Sequence, residues 1–206
     1  MDHQEILKQR DLLDAMLASR TNQYEKIECM KVMDSIYFKK QLHRIFIFSF
    51  HIVWNRHVDP TQCKQSNQIE AAKKIVNILK IPVIFTRFTY DLIPHNKKFI
   101  YGISGIKATK FTKKIMNNSD LAISFGCRFS PQFVGHDFKA LRKAKVISID
   151  IEKDELAKKG QKIDHPMNHD LKDFIPYFLK FFKKKKLKKF DNWNSVCENF
   201  KKNNPI

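Results

Sequence analysis

The chain has 206 residues, 43% of them hydrophobic, and a formal net charge of +18 at pH 7. That apolar content excludes wholesale disorder, and the length allows one domain plus an extension, or two small domains. No run of about 18 uninterrupted apolar residues occurs, and the charged start "MDHQEILKQRD" has no apolar signal core, so a soluble, cytoplasmic protein is expected.

Residues 1–65 read as an irregular extension. In "EILKQRDLLDAMLASR" (5–20), Ile6, Leu12, Leu13, Met16 and Leu17 fall roughly on one side, which allows a helix. "YFKKQLHRIFIFSFHIVW" (37–54) starts helix-like and becomes a Phe/Ile/Val run suited to a buried strand, and Asp59-Pro60 then marks a break. From residue 66 the pattern is cleaner. Asn67 and Glu70 have capping-box spacing, and Ile69, Ala72, Val76 and Leu79 share one helical face. "IPVIFT" (81–86) is too apolar for a half-exposed strand. "KATKFTKKIMNN" (107–118) reads as a helix with Ala108, Phe111 and Ile115 inward. "LAISF" (121–125) and "KVISID" (145–150) read as two further strands. In "DLKDFIPYFLKFF" (170–182), Leu171, Phe174, Phe178 and Phe182 have helical spacing, and Pro176, best tolerated in a first turn, places the helix start after Asp173.

Helices alternating with continuous apolar strands imply an α/β fold, a Rossmann-like parallel sheet with helices on both faces. Such sheets bind ligands at the carboxyl ends of their strands. Four of the five glycines (Gly102, Gly105, Gly126 and Gly135) fall within residues 102–135, near the ends of apolar stretches. They are either turn residues or places where backbone amides approach a phosphate ahead of a helix.

Other clusters have two readings each. Cys29, Cys63, Cys127 and Cys197 form no C-x-x-C pair, which argues against zinc and for a reducing compartment. Cys127 stands beside Arg128, which could lower its pKa; a packed thiol is the alternative. His165 and His169 are four apart, as helical zinc ligands are, but Pro166 between them favours a loop and no metal. "LKFFKKKKLKKF" (179–190) interleaves seven lysines with Phe181, Phe182, Leu187 and Phe190. That suits an anionic membrane or nucleic acid, or simply a core helix running into a solvated linker. The overall positive charge also divides between anionic partners and an AT-rich coding bias.

With those residues in hand, 66–182 resembles the central domain of thiamine-diphosphate-dependent enzymes, nearest in pattern to the acetolactate synthase-like members. Six segments carry the resemblance in order: "LKIPVIFTRFTYDLIP" (79–94), "FIYGISGIKATKF" (99–111), "NSDLAISFGCRFS" (118–130), "AKVISIDIEKDELAKK" (144–159), "DHPMNHDLKDFI" (164–175) and the Trp-led linker "WNSVCENFKKNNP" (193–205). The resemblance implies a Rossmann-like layer that in some members holds the ADP part of FAD and in many others serves as scaffold. By position, the cofactor-binding candidates are Gly102, Gly105, Gly126, Arg128 and Asp150, with Arg128 toward phosphate and Asp150 toward a ribose hydroxyl; the alternative for Arg128 is a structural ion pair. The family uses thiamine diphosphate and magnesium.

This sequence departs from the pattern in four ways. The first strand and glycine-rich turn of the domain are expected to be missing ahead of the helix at 67–80, Ala108 replaces a frequent glycine, no "GDG" occurs, and residues 1–65 are too short for a full domain bearing the catalytic glutamate. "VWNRHVDPTQ" (53–62) faintly resembles the close of that domain, with 24–46 as the helix before it. The expectation is therefore a truncated homologue: a remnant of one domain (1–65), the central domain (66–182) and a basic linker-like tail (183–206). It would serve as scaffold or subunit, as a homodimer or with separately encoded domains, and without catalytic or metal-ligating residues of its own. The alternatives are a nucleotide or FAD-binding module, or a basic protein that binds nucleic acid or a membrane surface.

Overall fold

The computed structural model describes residues 23, 25–32, 34–35, 45–50, 68–86, 93–94, 97–134, 141, 143–185 and 189–204, with the backbone alone at 45–50, 68–69 and 71–72. The helix read at 5–20, the stretch 53–62, Asn67, Gly135 and Leu187 lie outside these residues. The chain divides into two compact units, residues 1–40 and 41–206. In the first, residues 25–32 are helical.

The second unit is built on a six-stranded sheet of β1 (Ile45–Phe50), β2 (Val83–Phe85), β3 (Ile100–Ile103), β4 (Leu121–Phe125), β5 (Lys145–Asp150) and β6 (His165–Asn168), in the order β3-β2-β1-β4-β5-β6. Every neighbouring pair is parallel. Parallel strands need crossover connections, which put helices against the sheet and bury the strands on both sides. This accounts for strands without polar alternation: all five residues of β4 are buried, as are Val146 to Asp150 in β5. The chain winds outward from β1 to β3, then returns to β4 and winds the other way, so the order reverses between β1 and β4.

The helices are α1 (Gln68–Leu79), α2 (Lys110–Asn118), the single turns α3 (Pro131–Val134) and α4 (Lys153–Ala157), α5 (Leu171–Lys183) and α6 (Asp191–Lys202). α1 packs on α5, and α2 on α6. The Thr109 hydroxyl caps α2, accepting from the Thr112 amide at 3.3 Å, while Thr112 Oγ1 donates to the Tyr101 carbonyl at 2.6 Å and fastens α2 to β3. Phe174, Phe178 and Phe182 form the buried stripe of α5, and Phe178 meets Phe125 of β4 edge-on at 5.5 Å.

Four expectations are corrected. The first strand of the domain is present: β1 lies between β2 and β4, ahead of the helix at 68–79, and residues 51–67, which contain no glycine, separate the two. Residues 165–168 are the edge strand β6, not a loop; an edge position tolerates Pro166. α5 starts at Leu171 and runs through the exposed Pro176, because the Asp170 carboxylate caps it (2.8 Å to the Lys172 amide) and the aromatic stripe outweighs one lost hydrogen bond. The Trp-led stretch is the helix α6, with Trp193 and Cys197 buried. Tyr101 Oη donates to Glu198 at 2.6 Å and Asn194 Nδ2 to the Lys80 carbonyl at 2.9 Å, which fix α6 to the β3 side of the sheet.

Candidate functional site

The sequence candidates all fall at the carboxyl rim of the sheet. β3 carries Gly102 and leads to Gly105, β4 ends one residue before Gly126, and β5 ends on Asp150. β3 and β4 are not neighbours, yet the loop after β3 reaches the segment after β4: the Ile106 amide donates to the Gln132 carbonyl of α3 at 3.1 Å. A side chain at Gly105 would place its Cβ 2.1 Å from that carbonyl oxygen, and the residue sits at φ +96°. Glycine is therefore required there by the approach of two backbones. Gly126, at φ +63°, turns the chain over β5, and its amide donates to the Ile149 carbonyl at 2.7 Å. Phe129 takes the left-handed region without being glycine (φ 43°) and is held there by burial.

Arg128 projects from this turn to two carboxylates, with Nη2 3.0 Å from Glu152 Oε1 and Nε 3.8 Å from Glu155 Oε1. Asp150 is 3% exposed, and its Oδ1 accepts the Glu152 amide at 3.0 Å. Burial raises the Asp150 carboxyl above the ordinary aspartate range; the Glu152 amide counters this, the Glu152 and Glu155 charges add to it, and Arg128 opposes it least. β6 locks the same turn, since Asn168 Nδ2 donates to the carbonyls of Asp150 and Ile151 at 3.0 and 2.8 Å. Cys127 is buried, and desolvation pushes its thiol up to about 12, so the reading in which Arg128 activates it is corrected.

A pyrophosphate needs free amides and unpaired cationic groups. Here the amides of Ser104, Ile106, Ala108 and Gly126 are all taken by backbone carbonyls. Arg128 is bound to two glutamates, and residues 51–67, which follow β1 in sequence, contain no glycine. A diphosphate at these positions would have to displace bonds the protein already makes. Asp150 retains one oxygen beyond the turn, which suits a hydroxyl donor. Among the described residues no group of three or more His, Cys, Asp or Glu side chains could hold a metal ion. The His165 and His169 spacing is that of a strand and its exit, and the buried His169 stacks on Phe174 at 5.6 Å.

Sequence reasoning missed two features of the rim. The partners of Arg128 were readable in "DIEKDE", where Glu152 and Glu155 both follow Asp150 closely. Two exposed isoleucines, Ile106 at 68% and Ile151 at 48%, stand in the loops after β3 and β5.

The all-parallel, doubly wound sheet defines a Rossmann-like α/β domain. Residues 61–178 match the family described as "Thiamine pyrophosphate enzyme, central domain". The chain belongs to that family. It is similar to the "Probable acetolactate synthase large subunit" of Methanococcus aeolicus, with 33% identity over 111 residues, 54% of this chain and 18% of that protein. The protein with the same description in Methanocaldococcus jannaschii is 27% identical over 128 residues, 62% of this chain and 22% of its own. "Acetolactate synthase 2, chloroplastic" of Nicotiana tabacum is 28% identical over 99 residues, 48% of this chain and 15% of its own. The chain thus spans 15% to 22% of the length of these relatives.

Proposed function

We propose that the chain acts as a scaffold of a thiamine-diphosphate enzyme of the acetolactate synthase-like type, performing no 2-oxoacid chemistry alone and docking through its carboxyl rim onto a second copy or onto separately encoded catalytic domains. The observation that carries this reading is the closed rim: the donors that would bind a diphosphate already bind the protein itself. Ile106 and Ile151 support it, since exposed isoleucines beside a polar rim suit a protein contact. In this reading Gly102, Gly105 and Gly126 shape the rim, and Arg128 and Asp150 hold its turns. The competing role for Arg128 and Asp150, contact with the phosphate and ribose of an ADP-containing ligand, requires Arg128 to leave both glutamates.

Calorimetry of the purified chain against thiamine diphosphate with magnesium, and separately against FAD, tests the proposal. No saturable heat that Arg128→Ala abolishes is expected from either, and no carbon dioxide from pyruvate. Magnesium-dependent binding of thiamine diphosphate overturns the reading; saturable FAD binding lost in Arg128→Ala favours the nucleotide role instead.

A further inference from the structure

The opposite rim, where the strands begin, carries a cleft of about 670 Å³ between the end of α1, the entries to β2 and β3, and α6. That volume lies within the range of small-molecule sites, roughly 300–1,000 Å³. Among the described residues Lys80, Lys98, Lys189 and Lys202 line it with two carboxylates, Asp191 and Glu198, and Glu198 is engaged by Tyr101. None of the four lysines has an ion-pair partner among the described residues. Asn194 also lines the cleft: its Nδ2 is used by the Lys80 carbonyl, but its Oδ1 is buried without a hydrogen-bond partner. A buried acceptor left unpaired is costly, and a donor from a ligand would recover that cost. Lys80 and Phe99 adopt φ of 50° and 72°, where glycine would relieve the backbone but line nothing. Ile78 and Phe99 supply apolar lining.

We propose that this cleft binds a phosphorylated small molecule of about nucleotide size, its phosphate held by the lysines, a hydroxyl or amino group donating to Asn194 Oδ1, and an apolar or ring portion against Ile78 and Phe99. The cleft lies on the far side of the sheet from the rim assigned to docking, so either assignment stands if the other falls. Calorimetric titration of the full chain with pyrophosphate, AMP and ADP tests it. Saturable one-to-one binding is expected for at least one of them. The double variant Lys98→Ala/Lys202→Ala, which alters only exposed side chains, is expected to weaken it about tenfold, and Lys153→Ala on α4 by less than about twofold. No saturable binding of any probe overturns the proposal, as does equal loss in Lys153→Ala, which signifies diffuse attraction. Binding of a single-stranded oligonucleotide that ADP does not displace, with no binding of the three probes, also overturns it and assigns the charge to nucleic acid.

Discussion

Gly102 and Gly105 stand three residues apart at the end of β3, yet a side chain would meet different surroundings at the two positions. At Gly102 a Cβ would lie 3.6 Å from Thr112 Oγ1, an ordinary contact, so Gly102→Ala costs only its left-handed backbone, about 1–2 kcal/mol. At Gly105 the same strain adds to a 2.1 Å collision with the Gln132 carbonyl. Gly105→Ala is expected to lose roughly 3 kcal/mol or more in urea denaturation, as α3 is pushed from the loop. Equal, small losses at both sites would mean the glycines serve something other than packing. Asp150 makes a prediction of a different kind. Its folded-state carboxyl is raised, chiefly by burial, so between the ordinary aspartate value and that raised value the folded chain binds more protons than the unfolded chain. Its contribution to stability therefore falls as pH rises through that window and stays unfavourable above it. Asp150→Asn removes the charge and keeps an oxygen for the Glu152 amide. It is expected to melt higher than the parent at neutral pH, with the gap closing as pH is lowered toward the ordinary aspartate range. A gap that widens on acidification would refute the assignment.

At the scale of elements, α6 shows how a tail becomes part of a domain. Tyr101, 1% exposed in β3, reaches Glu198 across the helix interface, and burial with that hydrogen bond to the carboxylate raises the phenol well above its usual range. Lys114 of α2 adds a contact to Asn204 at 3.3 Å. A double-mutant cycle between Tyr101→Phe and Glu198→Gln is expected to give a coupling of about 1–2 kcal/mol by chemical denaturation, and near-zero coupling would leave the hold on α6 to its buried Trp193 and Cys197 and to the Asn194 and Lys114 contacts. This helix was read as a linker because its apolar positions, Trp193, Val196, Cys197 and Phe200, are few among Asn, Glu and Lys. β4 and β5, by contrast, were legible to the residue, since unbroken apolar runs bounded by Asp120, Gly126 and Asp150 leave little alternative to a two-sided strand. β3 was hidden by Gly102 inside it, and β6 by Pro166 and two flanking polar residues, because edge strands are specified by the partner that pairs with them. β1 was seen as an apolar run but not placed, since residues 51–67 disguise its connection to α1. The site was legible as positions: all five candidates lie on one rim. Glu152 and Glu155 stand in view close after Asp150, but the engagement of the rim with Gln132 and Ile149 is tertiary, and nothing in residue spacing discloses it.

For the whole molecule, the charge of +18 has to be reconciled with a stable sheet. The ion pairs among the described residues do not balance it. Glu28–Lys31, Glu70–Lys73 and Glu155–Lys158 join residues three apart, and Lys162–Asp164 joins residues two apart with the lysine side chain 83% exposed. Pairs of this kind contribute about 0–1 kcal/mol each. Few of the described lysines are paired in this way, and the repulsion that goes with a net charge of +18 opposes the compact state. A neutral salt screens that repulsion over a Debye length that falls from about 20 Å to under 10 Å between roughly 0.02 and 0.2 M. It weakens the surface pairs too, but these have less to lose. The melting temperature is accordingly expected to rise by a few degrees when sodium chloride is increased over that interval at pH 7. A melting temperature that falls with salt would mean that specific attractions, not net repulsion, dominate the electrostatics of this fold.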